Sequence, residues 1–136
     1  MQSNQPIPLQ PLEMDAPLSL DRSWLLRLPL ALLFGFSAVT KVIDLDAGYA
    51  EMAQFGLPEA SVFPLIALQL VGAAALLSGF ALRLAAFALA VFVLTASTLA
   101  HNPFASGQFD VRQATTFLEH IVIIAALGFL SIRRKS

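Results

Sequence analysis

The chain contains no cysteine. Disulfides, thiol catalysis and Cys-ligated metal or iron–sulfur centres are therefore excluded. Charge is scarce too: 12% of the 136 residues are Asp, Glu, Lys or Arg, against roughly 25% in soluble domains. A soluble fold could not cover its surface with so few charges. Together with 57% hydrophobic residues, this predicts an integral membrane protein. A net charge of −1 gives no basis for a nucleic-acid partner. One Trp and one Tyr make only a thin aromatic belt. No basic residue precedes Arg22 and no small-residue cleavage site follows a short apolar run, so no signal peptide is expected.

What is present is long apolar sequence. Ala60 to Ala100 carries one formal charge, Arg83. As a single helix it would be about 60 Å long, twice the roughly 30 Å core of a bilayer. Ser78-Gly79 and then Arg83 mark a fold-back, which predicts spans over 60–82 and 84–100. A first span is expected over 24–43, where Arg27 and Lys41 must snorkel or find partners. There Pro29 is tolerable if the hydrogen-bonded helix starts near Leu26. The last apolar run, Ile121–Ile132, is too short to cross alone. Extending it back to Thr115 gives a fourth span over 115–132 and brings Glu119 and His120 into the hydrocarbon or to its edge. Residues 1–21, with Pro6, Pro8, Pro11 and Pro17, are expected to be a flexible tail, and 133–136 a basic tail. The expected fold is an all-α, four-helix transmembrane bundle occupying 22–132.

Orientation follows from the basic residues. With four spans, Arg22, Arg27, Arg83, Arg133, Arg134 and Lys135 fall on one side, so N-in, C-in topology in the inner (plasma) membrane is expected. The other side receives the acidic stretch Asp44–Glu59 and the loop His101–Gln113.

This topology gathers polar groups at one depth. Lys41 ends the first span, Gln69 lies about 10–14 Å into the second, His101 closes the third, and Glu119 and His120 lie about one turn into the fourth. Ionisable groups in hydrocarbon cost at least about 2.5 kcal/mol, so they usually face the bundle and pair. Each also has a structural reading. Lys41 can snorkel or pair with Glu119, Gln69 can join helices through a hydrogen bond, and His101 can simply close a helix. Adjacent helical residues sit about 100° apart, so one of Glu119 and His120 must point away from any single partner. The functional reading is a polar pocket below the outer leaflet. There Lys41 and His101 donate to a quinone carbonyl, Gln69 orients the ligand, and Glu119 and His120 relay protons. No metal site and no covalently bound cofactor are expected. Bis-histidine haem ligation has no motif behind it.

Arg27–Ile43, with Gly35-Phe36-Ser37 and then Lys41, resembles the first helix of the DoxX family. Phe55-Gly56-Leu57-Pro58 is similar to that family's Leu-Gly-hydrophobic-Pro turn, and Leu68-Gln69-Leu70-Val71-Gly72 to its second-helix motif, where Glu is usual at the position of Gln69. Gly79–Ala86 resembles its Gly…Arg-hydrophobic-Ala turn, and His101 falls where a histidine is frequent. Phe117-Leu118-Glu119-His120 stands where Phe-hydrophobic-Lys-Asn is common. The resemblance runs from Arg22 to Ile132. It implies a four-helix membrane protein of a kind linked in some members to quinone-dependent oxidation of sulfur compounds and to oxidative-stress complexes. The function it implies here is a subunit or accessory of a quinone-linked oxidoreductase. Its partners would be membrane lipids, a quinone, a redox protein or further copies of the chain. A non-enzymatic scaffold or assembly factor is the alternative. A small-solute transporter is disfavoured by four spans and the lack of a polar path. Whether the chain is itself catalytic stays open.

Overall fold

A computed structural model describes residues 22–104 and 106–133. The tail expected over 1–21 and the end of the basic tail, 134–136, lie outside the described residues. Five α-helices follow in order: α1 Trp24–Ile43, α2 Leu45–Gln54, α3 Val62–Ser78, α4 Leu82–Ala100 and α5 Val111–Ile132. A single 3₁₀ turn, Glu59–Ser61, leads into α3. Four of these segments, Trp24–Ile43, Glu59–Ser78, Leu82–Ala100 and Val111–Ile132, are long and apolar enough to cross a membrane. The protein is a multi-pass, all-α membrane protein.

Local chemistry sets the helix limits. α3 stops at Ser78 because Gly79 takes a left-handed φ of 77° and its N–H donates to the Ala75 carbonyl. The span expected to reach 82 is therefore shorter. Arg83, expected in the connection, instead lies in the first turn of α4, where its Nε–H donates to the Ser131 carbonyl at 2.8 Å. α5 starts one turn earlier than hydropathy indicates, because the Asp110 side chain accepts from the N–H groups of Arg112 and Gln113. Asp44 caps α2 in the same way through Ala47 N–H. α1 begins at Trp24, so Pro29 lies in its second turn rather than its first.

α1 packs chiefly on α3, α4 packs on α5, and the α3–α4 contact joins the two pairs. Leu30, Phe34, Leu76, Leu89, Leu127 and Leu130 form the main core. Leu89 closes directly on Gly72: a Cβ there would meet its Cδ1 at 2.8 Å, so the two backbones approach as only glycine allows. A second cluster of Ala38, Met52, Val62, Leu65 and Ile66 sits beneath α2. Large apolar side chains such as Phe36, Phe63, Phe87 and Val122 point outward, as a lipid solvent requires.

Arg27 neither snorkels nor merely marks topology. It is buried, and it donates from Nε to the Leu76 carbonyl at 2.6 Å and from Nη2 to the Leu77 carbonyl at 2.9 Å. Those carbonyls belong to the last turn of α3, which has no helical N–H left to give them. The guanidinium also lies 4.4 Å from the Trp24 ring centroid.

Candidate functional site

The site is built at the end of the bundle where α1 and α4 finish and α5 begins. Lys41, in the last turn of α1, is 7% exposed. Its Nζ meets Glu51 Oε2 on α2 at 2.8 Å and donates to Ser37 Oγ, one turn back, at 2.9 Å. Gln69 on α3 is 2% exposed, and its Nε2–H donates to the same Ser37 Oγ at 3.1 Å. One serine thus joins a cation on α1 to an amide on α3. Its other amide atom, Gln69 Oε1, is buried with no hydrogen-bond partner.

The second cluster joins α4 to α5. Ser97 is buried, and its hydroxyl donates to the Val93 carbonyl at 2.6 Å. His120 Nδ1 lies 2.7 Å from Ser97 Oγ, and His101 Nδ1 lies 3.1 Å from Gln113 Oε1. The two imidazoles meet edge to face, with centroids 5.1 Å apart.

Both clusters line one cavity of about 190 Å³. Ser37, Glu51, Gln69, His101 and His120 supply its polar atoms. Leu33, Phe34, Phe55, Phe92, Val93, Ala96 and Ile123 supply its apolar wall. Lys41 stands behind Ser37 and Glu51.

Of the five residues singled out in the sequence, four come together here: Lys41 and Gln69 through Ser37, and His101 beside His120. Glu119 does not join them. It is exposed on the outer face of α5, and among the described residues it has no hydrogen bond or ion pair. The Lys41–Glu119 pair, one structural reading of the sequence, does not form; Lys41 pairs with Glu51 instead. The cause is the 100° step between adjacent helical residues: turning His120 inward toward Ser97 turns Glu119 away. Sequence reading missed Ser37, Glu51, Ser97 and Gln113. Ser37 precedes Lys41 by four residues and Ser97 precedes His101 by four, so helical spacing marked both serines. Nothing in the sequence marked Glu51 over the other acids of its segment. Among the described residues, no three His, Asp or Glu side chains are placed to share a metal ion.

A family model, DoxX, matches residues 23–102. The chain belongs to the DoxX family. The matched part of this DoxX protein carries α1 to α4 and with them Ser37, Lys41, Glu51, Gln69, Ser97 and His101. α5, which adds His120 to the cavity and holds Gln113 against His101, lies beyond it. No curated protein and no solved structure matches the chain.

Proposed function

We propose that this DoxX-family protein is an inner-membrane subunit or accessory of a quinone-linked redox system, and that its cavity receives the quinone ring. The observation that carries this reading is Gln69, which lines a ring-sized space and whose Oε1 is buried without a partner. Buried polar groups are nearly always paired, so an unpaired one on a residue that lines a cavity supports a polar partner there. The size agrees: a cavity of about 150 Å³ accepts benzene, and this one measures about 190 Å³. Phe34, Phe55 and Phe92 offer flat apolar surface to a ring. A bound quinone supplies two-electron, two-proton chemistry. The chain's own part is to orient the ring through Gln69 and to hold protons at the free Nε2 atoms of His101 and His120 and at the Glu51 carboxylate. Glu51 is suited to pass a proton outward, since its side chain lines the cavity and is 32% exposed. The excess of Lys and Arg at the opposite end of the bundle supports N-in, C-in topology, with the cavity under the outer leaflet.

Full-length protein purified in mild detergent is expected to carry a quinone, detected by mass spectrometry of the extract, in up to one copy per chain. His120→Phe, which replaces a cavity-lining imidazole with an apolar ring, should weaken its retention. The proposal fails if none is recovered and none rebinds on reconstitution.

The assembly-factor reading has its own support in α5. Only 11% of the residues in its apolar window are buried, and Glu119 stands unpaired on the lipid-facing side. A carboxylate there is expensive unless another membrane helix covers it. Glu119→Leu should then abolish a complex seen by native mass spectrometry while leaving quinone content unchanged. Unaltered assembly would remove this reading.

A further inference from the structure

We infer that the cavity opens sideways into the bilayer between α1 and α5, and that its ligand docks a ring inside while its hydrocarbon tail leaves through that opening. This rests on the quinone-site reading and adds the class and route of the ligand. The quinone is a long-tailed amphiphile drawn from the membrane, not a small one drawn from water.

The opening follows from how the helices are joined. Around the cavity they run in the order α1, α3, α4, α5, each packing on the next. All four line it, with Ser37 from α1, Gln69 from α3, Phe92 from α4 and Ile123 from α5. A closed ring needs one more seam, between α5 and α1. That seam is missing: the two helices barely touch. α2 does not fill it, because α2 packs on α1, on the Glu59–Ser61 turn and on α3.

The side chains at each seam give the reason. In a membrane, helices close on one another where small residues let the backbones approach. At the α1–α3 seam a Cβ on Gly35 would stand 3.8 Å from that of Ala73, and at the α3–α4 seam Gly72 receives Leu89. The residues that α1 and α5 turn to the cavity include Leu33 and Ile123, which are bulky.

Leu33 marks the mouth. It lines the cavity and is nevertheless 43% exposed, so one side chain faces both the interior and the outside of the bundle. It lies one turn before Ser37 on α1, about 6 Å deeper in the membrane at the helical rise. The outside at that depth is hydrocarbon. Further inward the core is sealed, since Leu30, Phe34, Leu89 and Leu127 are buried together. On the outer side stand Phe55 and the Glu51 carboxylate, a charged rim that does not suit a tail.

Size then assigns the two parts of the ligand. A cavity of about 150 Å³ accepts benzene, and this one, at about 190 Å³, has room for a ring but not for a long chain as well. A tail pushed out past Glu51 would meet water and lose its favourable transfer energy. A tail leaving past Leu33 stays in the bilayer.

The test uses full-length protein in lipid nanodiscs and a decyl-benzoquinone carrying a photoreactive diazirine in its tail. After illumination, labelled peptides are identified by mass spectrometry, with and without a short-chain benzoquinone as competitor. Labelling that the competitor does not displace reports ordinary lipid contact and is subtracted. Displaceable labelling is expected on α1 around Leu33 and on α5 around Ile123. Competitor at about ten times its Kd should cut it about tenfold by mass action. Displaceable labelling confined to other segments, α2 or the α4–α5 connection included, overturns the sideways opening and leaves the ring site standing. So does the absence of displaceable labelling while the short-chain quinone still binds in equilibrium dialysis. Binding of neither quinone overturns both the opening and the reading beneath it.

Discussion

Glu51→Leu is expected to destabilise the bundle by about 2–3 kcal/mol, less than the full cost of breaking a wholly buried ion pair because the Glu51 side chain is 32% exposed. The stranded group is the Lys41 ammonium, whose side chain is only 8% exposed and whose one carboxylate contact is Glu51 Oε2 at 2.8 Å. Ser37 keeps its contact with Lys41 Nζ, but a hydroxyl does not neutralise a charge. Lys41→Met combined with Glu51→Leu should recover most of the loss, since two apolar side chains then fill the space with no charge to desolvate. Measured as reversible unfolding in bicelles, the double-mutant cycle should give a coupling of about 2–3 kcal/mol. The same cycle between Lys41 and Glu119 should be additive, because no contact joins them. Additivity at Lys41–Glu51, or strong coupling at Lys41–Glu119, would contradict the geometry of the site.

The second large effect is expected at the opposite end of the molecule. Arg27→Met should cost about 3–5 kcal/mol, because it deletes two charge-assisted bonds worth about 1.5–3 kcal/mol each. The acceptors are the carbonyls of Leu76 and Leu77, and Leu76 is wholly buried, so water cannot replace the guanidinium there. Arg27→Lys should recover only part of the loss, since an ammonium cannot reproduce the planar fork that reaches both carbonyls and lies against Trp24. The glycine next to this contact is constrained by it. Gly79 holds a left-handed φ, and a Cβ at that position would stand 3.0 Å from Arg27 Nη2. Arg83 gives the comparison: its one bond, to the Ser131 carbonyl, is exposed, so Arg83→Met should cost about 1 kcal/mol. Thermal unfolding of the three variants in one detergent would rank them. Equal effects at Arg27 and Arg83 would show that Arg27 does not close the α3 terminus.

These two ends differ in how far the sequence alone describes them. Hydropathy and turn residues are one-dimensional signals, and they located all four spans, the fold-back at Gly79, the turn at Gly56-Leu57-Pro58 and the layer of polar residues near the ends of α1 and α4. Boundaries moved where a side chain captured backbone N–H groups, as Asp110 does for α5, because capping depends on one residue's geometry and leaves little trace in an averaged apolar run. What hydropathy cannot contain is the rotation of each helix about its own axis. That rotation decided that His120 faces Ser97 while Glu119 faces outward, that Lys41 finds Glu51 rather than Glu119, and that Arg27 caps a helix nearly fifty residues away. Depth in the membrane is written along the chain, at 1.5 Å per residue. Direction around a helix is settled only when neighbours such as Gly72 and Leu89 lock together, and direction is what turns polar residues at one depth into a site.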